Sequence, residues 1–411
     1  MWNVSWPIRN KCIYLPPGAT EVLHLKICDL TQFYSPVGGG VRRYLQEKVD
    51  YLRRERPDCE HVLIIPSDKT ECLVEPQRRI YTIKSPLVSR TSRYRMLLNL
   101  GAIESILERE RPHIIESGDP YQVAWKAIAS GAALRIPVVG FYHSHFPEAS
   151  LRSVEKFLGP TAGEALLDLA ERYVRQVYNR FARTLVPSEG LRQLLDGWGI
   201  DNTVLSELGV NTRLFRPGSR VAGFRKKHSI PEEATLLLYV GRLAPEKNVK
   251  TLFRAFELLT SSSPKAPGAW HLLVVGDGTT RDSLMNLVAS NGAVTWLPYT
   301  SESRELASLY READIFVHPG VLETFGLVTL ESQACGTPVV GIRGSYMDRI
   351  VFSDQTHWAD ENSPASLAQA IERTSREDLI SMGKLASERV LQRYDWERVF
   401  ARLLSIYEEC L

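Results

Sequence analysis

Several features that would identify a protein quickly are scarce in this 411-residue chain. Net charge is nearly absent at +2. A dedicated nucleic-acid binder usually carries a strong basic excess, so that class is excluded. Cysteines number six, at 12, 28, 59, 72, 335 and 410, with no Cys-x-x-Cys pair. The zinc and dithiol readings fail on that spacing. Six cysteines in so long a chain make no disulfide framework, and a reducing, cytoplasmic setting is expected. Long apolar runs are missing too. A membrane-spanning helix needs about 20 mainly apolar residues, and the richest stretch, 121–142, is interrupted by Lys126 and Arg135. The first twenty residues lack the apolar core of a secretion signal.

What is present is alternation. Short β-branched runs at 24–30, 61–65, 113–117, 136–143 and 184–188 read as buried strands. A second series follows at 235–241, 271–277, 294–299, 315–319 and 338–342. Amphipathic stretches separate them, such as Val41, Leu45, Val49 and Leu52, or Leu252, Phe256 and Leu259. Strand and helix in alternation predict βαβ units with parallel sheets. The expected fold class is therefore α/β, with two Rossmann-like, doubly wound domains facing a cleft. A Pro- and Gly-containing basic passage at 215–234 reads as the linker. The expected division is 1–215, then 216–394, then an amphipathic helix at 395–411 that packs back on the first domain. The near-zero charge divides unevenly: residues 1–215 carry +4 and 216–411 carry −2.

Ligands of such sheets bind beyond the carboxyl ends of the strands. Three loops there carry chemistry. SPVGGGVRRY (35–44) places Gly38, Gly39 and Gly40 before a helix, where backbone N–H groups can meet an anion. The pattern equally fits a tight turn. Neither this loop nor VVGDGTTR (274–281) completes a Gly-x-Gly-x-x-Gly dinucleotide fingerprint, which weakens a dehydrogenase reading. GRLAPEKN (241–248) brings Arg242 and Lys247 to one loop; two cations can clamp a diphosphate or merely be solvated. HPGVLETFGLVTLESQACGTPVV (318–340) places Glu323 in a loop and Glu331 on the helix after Phe325-Gly326. The N–H groups of Phe325, Gly326 and Leu327 form an anion site at that helix start. Apolar neighbours surround Glu331, and a buried carboxylate needs partners.

The Glu323-x7-Glu331 spacing, with its inner TFG and flanking HPG and ACGTPVV, resembles the retaining glycosyltransferases of family 4, which have the GT-B fold. GRLAPEKNVKTLFRAF resembles that family's phosphate-binding unit, and 186–217 its interdomain passage. The resemblance implies a retaining transfer of a hexose, with mannose favoured, from a nucleotide diphosphate sugar such as GDP-mannose to a lipid or glycan hydroxyl. It implies that Arg242 and Lys247 bind the donor diphosphate and Glu331 its ribose. Glu323 would meet the transferred sugar, and Phe325, Gly326 and Leu327 would hold phosphate or sugar. Gly39 and Gly40 would contact the diphosphate, and Trp296–Tyr299, including Pro298, would line the base pocket. YHSHFPEAS (142–150) resembles the family's histidine loop, with His143 near the reacting centre and His145 as the fallback. No cofactor or catalytic metal is implied, and no Asp-x-Asp pair occurs.

Segment 78–95 has six cations, no acid, and interleaved Tyr, Ile and Leu. It fits either a solvated loop or peripheral attachment to an anionic membrane, on the inner face of the plasma membrane. Three alternatives stay open beside the mannosyl reading. They are a glucosyltransferase using a UDP-sugar, a GT-B sugar phosphorylase or sugar-phosphate synthase, and a non-catalytic glycan-binding scaffold.

Overall fold

A computed structural model describes residues 25–35, 39–88, 93–142, 160–262, 269–321, 325–345, 347, 350–352 and 355–411. The chain forms two compact units. One runs to Ser206 and takes in Phe400–Leu411; the other is Glu207–Val399.

The first unit is built on eight strands: β1 (Lys26–Leu30), β2 (Glu60–Ser67), β3 (Glu71–Glu75), β4 (Arg78–Lys84), β5 (Ile114–Ser117), β6 (Val138–Phe141), β7 (Arg183–Val186) and β8 (Thr203–Leu205). Their order across the sheet is β3-β4-β2-β1-β5-β6-β7-β8. Every pair is parallel except β3 with β4. The pattern of apolar runs did not reveal β3, β4 or β8. In β4 the run RRIYTIK alternates, with Tyr81 and Ile83 buried, but its leading cations disguise it as surface. A turn at Gln77, held at φ 60°, folds β3 against it.

Charge lies at the heart of this unit. Lys48, on the helix Gly40–Glu55, is buried. Its ammonium donates to Asp29 Oδ1 at 2.7 Å, Glu116 Oε2 at 3.1 Å and Tyr407 Oη at 3.0 Å. Nε2 of His61 lies 2.5 Å from Asp29 Oδ2. Tyr44 donates to Glu116 at 3.1 Å, and Tyr407 also bonds it. Burial raises the Glu116 carboxyl from its ordinary 4.5 to about 7. Asp29 goes the other way: Lys48 and His61 outweigh its burial and hold it well below the carboxylate range. One ammonium thus balances one carboxylate, and the second keeps its proton into the neutral range. Tyr407 ties the C-terminal segment to β1 and β5.

The second unit has five strands, all parallel: β9 (Thr235–Val240), β10 (Trp270–Val275), β11 (Val294–Leu297), β12 (Ile315–Val317) and β13 (Val339–Val340). All five coincide with the second series of apolar runs. Their order is β11-β10-β9-β12-β13. Leu237, Leu252, Phe256, Leu272, Val274 and Ile371 share its apolar core. The chain runs outward from β9 through β10 to β11, then crosses to β12 on the other side of β9. The topological switch point therefore falls beyond the carboxyl ends of β9 and β12, where such sheets hold ligands.

Candidate active site

The loop after β9 is held by backbone bonds. Gly241 donates to Val275 O at 3.0 Å, Leu243 donates to Asp277 O at 2.9 Å, and Thr280 donates back to Leu243 O at 2.8 Å. Gly276 (φ 146°) and Gly278 (φ 157°) allow this approach. A Cβ on either would lie 2.0 Å from Gly241 O or 2.3 Å from Leu243 O. The glycines of VVGDG thus seat one loop on another, which explains why they complete no dinucleotide fingerprint.

On that seat Arg242 projects into solvent, 57% exposed, 3.5 Å from Glu246. Tyr239 donates to the Arg242 carbonyl at 2.9 Å, fixing the backbone beneath it. Pro245–Lys247 makes one 3-10 turn and ends at Asn248, whose φ is 55°. Asn248 is the residue that sequence reasoning undervalued. Its amide donates to Pro319 O and to Asn362 Oδ1, both at 2.8 Å. It therefore joins the loop after β9 to the loop after β12. Asn is one of the few residues besides Gly that tolerate the left-handed backbone this position requires.

The helix Leu327–Ala334 begins after Gly326, at φ 75°. A Cβ there would sit 2.3 Å from Met347 Sδ. Phe325 is buried and packs edge-on against Tyr394. The first N–H groups of any helix lack intrahelical acceptors, and this helix starts in the segment that follows β12. Glu331 is 2% exposed. Tyr310 donates to its Oε2 at 3.1 Å, and the Tyr310 carbonyl accepts from Thr337 at 2.6 Å. The apolar surroundings read from sequence are real, and Tyr310 is the partner they required.

Trp296, near the end of β11, donates from Nε1 to Gly276 O at 2.8 Å and packs on the core. Pro298 and Tyr299 beyond it are exposed. Arg242, Lys247, Trp296, Pro298, Phe325, Gly326, Leu327 and Glu331 are thus all in the second unit, on loops after its strands, at strand ends, or on the helix after β12. Glu323, His143 and His145 lie outside the described residues. Gly39 and Gly40 are exposed in the first unit, with Gly39 at φ 115° just before the helix.

The first unit also holds a buried carboxylate that sequence reasoning missed. Asp119, after β5, is buried and accepts from the backbone of Gln32 at 3.1 Å and Tyr121 at 3.3 Å. Burial pushes its carboxyl up to about 6. Phe33 packs edge-on against Tyr94 and Tyr121 beside it. Within segment 78–95, Arg90 lies outside the described residues, and three of the described cations are held by partners. Arg79 bonds Glu60 at 3.1 Å and Glu110 at 2.8 Å, Arg95 donates to Ser85 O at 2.7 Å, and Arg78 lies 4.0 Å from Glu75. Lys84 and Arg93 are exposed. No helix among the described residues is long and apolar enough to cross a membrane.

Comparison with known proteins agrees with this geometry. Residues 38–214 match the family model described as Glycosyltransferase Family 4, and 222–387 match Glycosyl transferases group 1. A GDP-mannose-dependent alpha-(1-6)-phosphatidylinositol dimannoside mannosyltransferase of Mycobacterium tuberculosis is 28% identical over 386 residues, 93% of this chain and 95% of that protein. A D-inositol 3-phosphate glycosyltransferase of Thermobispora bispora is 32% identical over 311 residues, 71% of this chain and 68% of that protein. Among solved structures, a sucrose-phosphate synthase from Thermosynechococcus elongatus superposes with a TM-score of 0.73 at 19% identity, covering 94% of this chain and 98% of that one. Two α/β units with ligand loops at the strand ends, and family matches across both, make this chain a hexosyltransferase of glycosyltransferase family 4 with the GT-B fold.

Proposed function

We propose that the enzyme transfers mannose from GDP-mannose, with retention of configuration, to a hydroxyl of a lipid or glycan. The observation that carries the reading is the clamped loop after β9. It offers Arg242 and Lys247 at the switch point while its backbone is fixed by β10 and Asn248. The name of the Mycobacterium tuberculosis relative, a GDP-mannose-dependent mannosyltransferase, supports the donor.

In this reading the bond between the anomeric carbon and the β-phosphate oxygen breaks, a bond to the acceptor oxygen forms, and the acceptor's hydroxyl proton passes to the leaving phosphate oxygen. Negative charge develops on the leaving diphosphate. Arg242, Lys247 and the N–H groups of Phe325, Gly326 and Leu327 stabilise it without moving, which is how preorganised donors lower a barrier. Glu331 accepts from ribose, with Tyr310 orienting it. Glu323 binds the sugar, and His143 stands near the reacting centre. The Phe33–Tyr94–Tyr121 group and Asp119 line the acceptor side. Turnover of GDP-mannose against UDP-glucose, with Glu323→Ala as the control, tests this. Preference for UDP-glucose, or undiminished turnover by Glu323→Ala, would overturn it.

The first unit also meets an anionic membrane surface. Lys84 and Arg93 face solvent alongside exposed Leu87, Val88, Met96 and Leu98. Each such cation contributes about 1 kcal/mol near an anionic leaflet. Flotation with anionic liposomes should show salt-sensitive binding that Lys84→Glu with Arg93→Glu abolishes. Equal flotation of the variant would remove the idea.

A further inference from the structure

One exposed pair beside the clamped loop has no role in stability. Arg281 Nη1 lies 3.2 Å from Asp277 Oδ2, with the two side chains 45% and 47% exposed. Pairs so exposed contribute about 0–1 kcal/mol. Yet both residues are fixed unusually well. The Arg281 guanidinium lies over the Trp296 ring, 4.3 Å from its centroid. That indole is anchored through Nε1 to Gly276 O. Asp277 Oδ1 accepts from Gly278 N at 2.8 Å, and the Asp277 carbonyl accepts from Leu243, on the loop that carries Arg242. The pair and the diphosphate loop therefore form one rigid piece.

The spacing suits a nucleoside. Trp296 pairs with Val274, and Val274 with Tyr239, so β11 and β9 are two strand spacings apart. That is about 10 Å, the span from a diphosphate to its base across a ribose. Most of the pair's bonding capacity is unspent. A guanidinium has five N–H donors and a carboxylate about four acceptor sites; the bonds above use one and two of them.

We infer that Asp277 and Arg281 read the donor's base and select guanine. This rests on the nucleotide-sugar reading above and names what sets the choice of nucleotide. The guanine edge presents an acceptor (O6) followed by two donors (N1–H and the 2-amino group). A guanidinium beside a carboxylate offers a donor followed by two acceptors, which is its complement. Uracil presents acceptor, donor, acceptor, so its O2 would face the carboxylate. Adenine presents a donor first, against the guanidinium.

Calorimetry with GDP, IDP and UDP on the full chain tests this. IDP keeps O6 and N1–H but lacks the 2-amino group. The wild type should bind GDP about tenfold or more tighter than UDP, with IDP between, because a lost bond to a charged partner costs about that much. Asp277→Ala should make GDP and IDP bind equally and narrow the gap between GDP and UDP, whereas Arg281→Ala should weaken GDP and UDP alike. Thermal melting of both variants should match the wild type, as expected for exposed side chains, which reports an intact fold. Equal wild-type affinity for the three nucleotides, or a ratio of GDP to IDP that survives Asp277→Ala, overturns the assignment. Should no nucleoside diphosphate bind at all, the donor reading itself falls and takes this assignment with it. Tight binding without base preference sinks only the assignment.

Discussion

The two units handle charge in opposite ways. The first buries it: Lys48, Asp29, His61 and Glu116 sit in the middle of the fold and are joined to one another. The second unit keeps an apolar core around its sheet and holds Arg242 out in water on a clamped loop. A buried ammonium with three partners is already satisfied and serves the fold. An exposed guanidinium on a rigid backbone does little for stability and is set to meet a ligand. The same residue types therefore have structural work in one unit and, in the proposed reading, binding work in the other, and location separates the two.

Lys48→Met should break that contrast most severely. It strands Asp29 without its counter-charge and takes a hydrogen-bond donor from Glu116, and removing one partner of a buried pair costs about 3–5 kcal/mol. Urea unfolding at pH 7 reads it. Tyr407→Phe should cost less, about 1–3 kcal/mol, since it deletes one hydroxyl from the same network; the loss should shrink sharply in a Lys48→Met background if the groups act together. Glu116→Gln sharpens the picture through pH. The folded protein holds the Glu116 proton up to about 7, whereas the unfolded chain releases it near 4.5. The wild type should therefore lose stability relative to Glu116→Gln as pH rises through that window. A constant difference in melting temperature between pH 4.5 and 7.5 would contradict the raised carboxyl. Arg242→Ala should shift stability least, within about 0.5 kcal/mol, as expected for an exposed side chain.

The contrast also explains what was legible in the sequence. All five strands of the second unit read directly as apolar runs, and all but the edge strand β11 are buried over most of their length. Its loop residues are close in sequence, so Arg242, Lys247 and the Phe325–Glu331 stretch stand out as motifs. The first unit is harder to read because its determinants are nonlocal. Asp29, Lys48, His61, Glu116 and Tyr407 come from five separate segments, and no spacing rule joins them. Strand β4 was obscured by the same chemistry. Arg79 looks like surface charge until Glu60 and Glu110 are seen beside it. Strand β8 is three half-buried residues, too short for periodicity to register. Asp119 sits in a turn whose sequence differs little from any other loop after a strand.

The account stands most directly on Lys247. Steady-state release of GDP from GDP-mannose, with acceptor present, should be compared between the wild type and Lys247→Ala, alongside thermal melting of both. The variant should lose about a hundredfold in kcat/KM, the usual effect of removing one preorganised charge donor, with its melting temperature unchanged. Full activity in the variant would contradict the assignment of the clamped loop to the donor diphosphate.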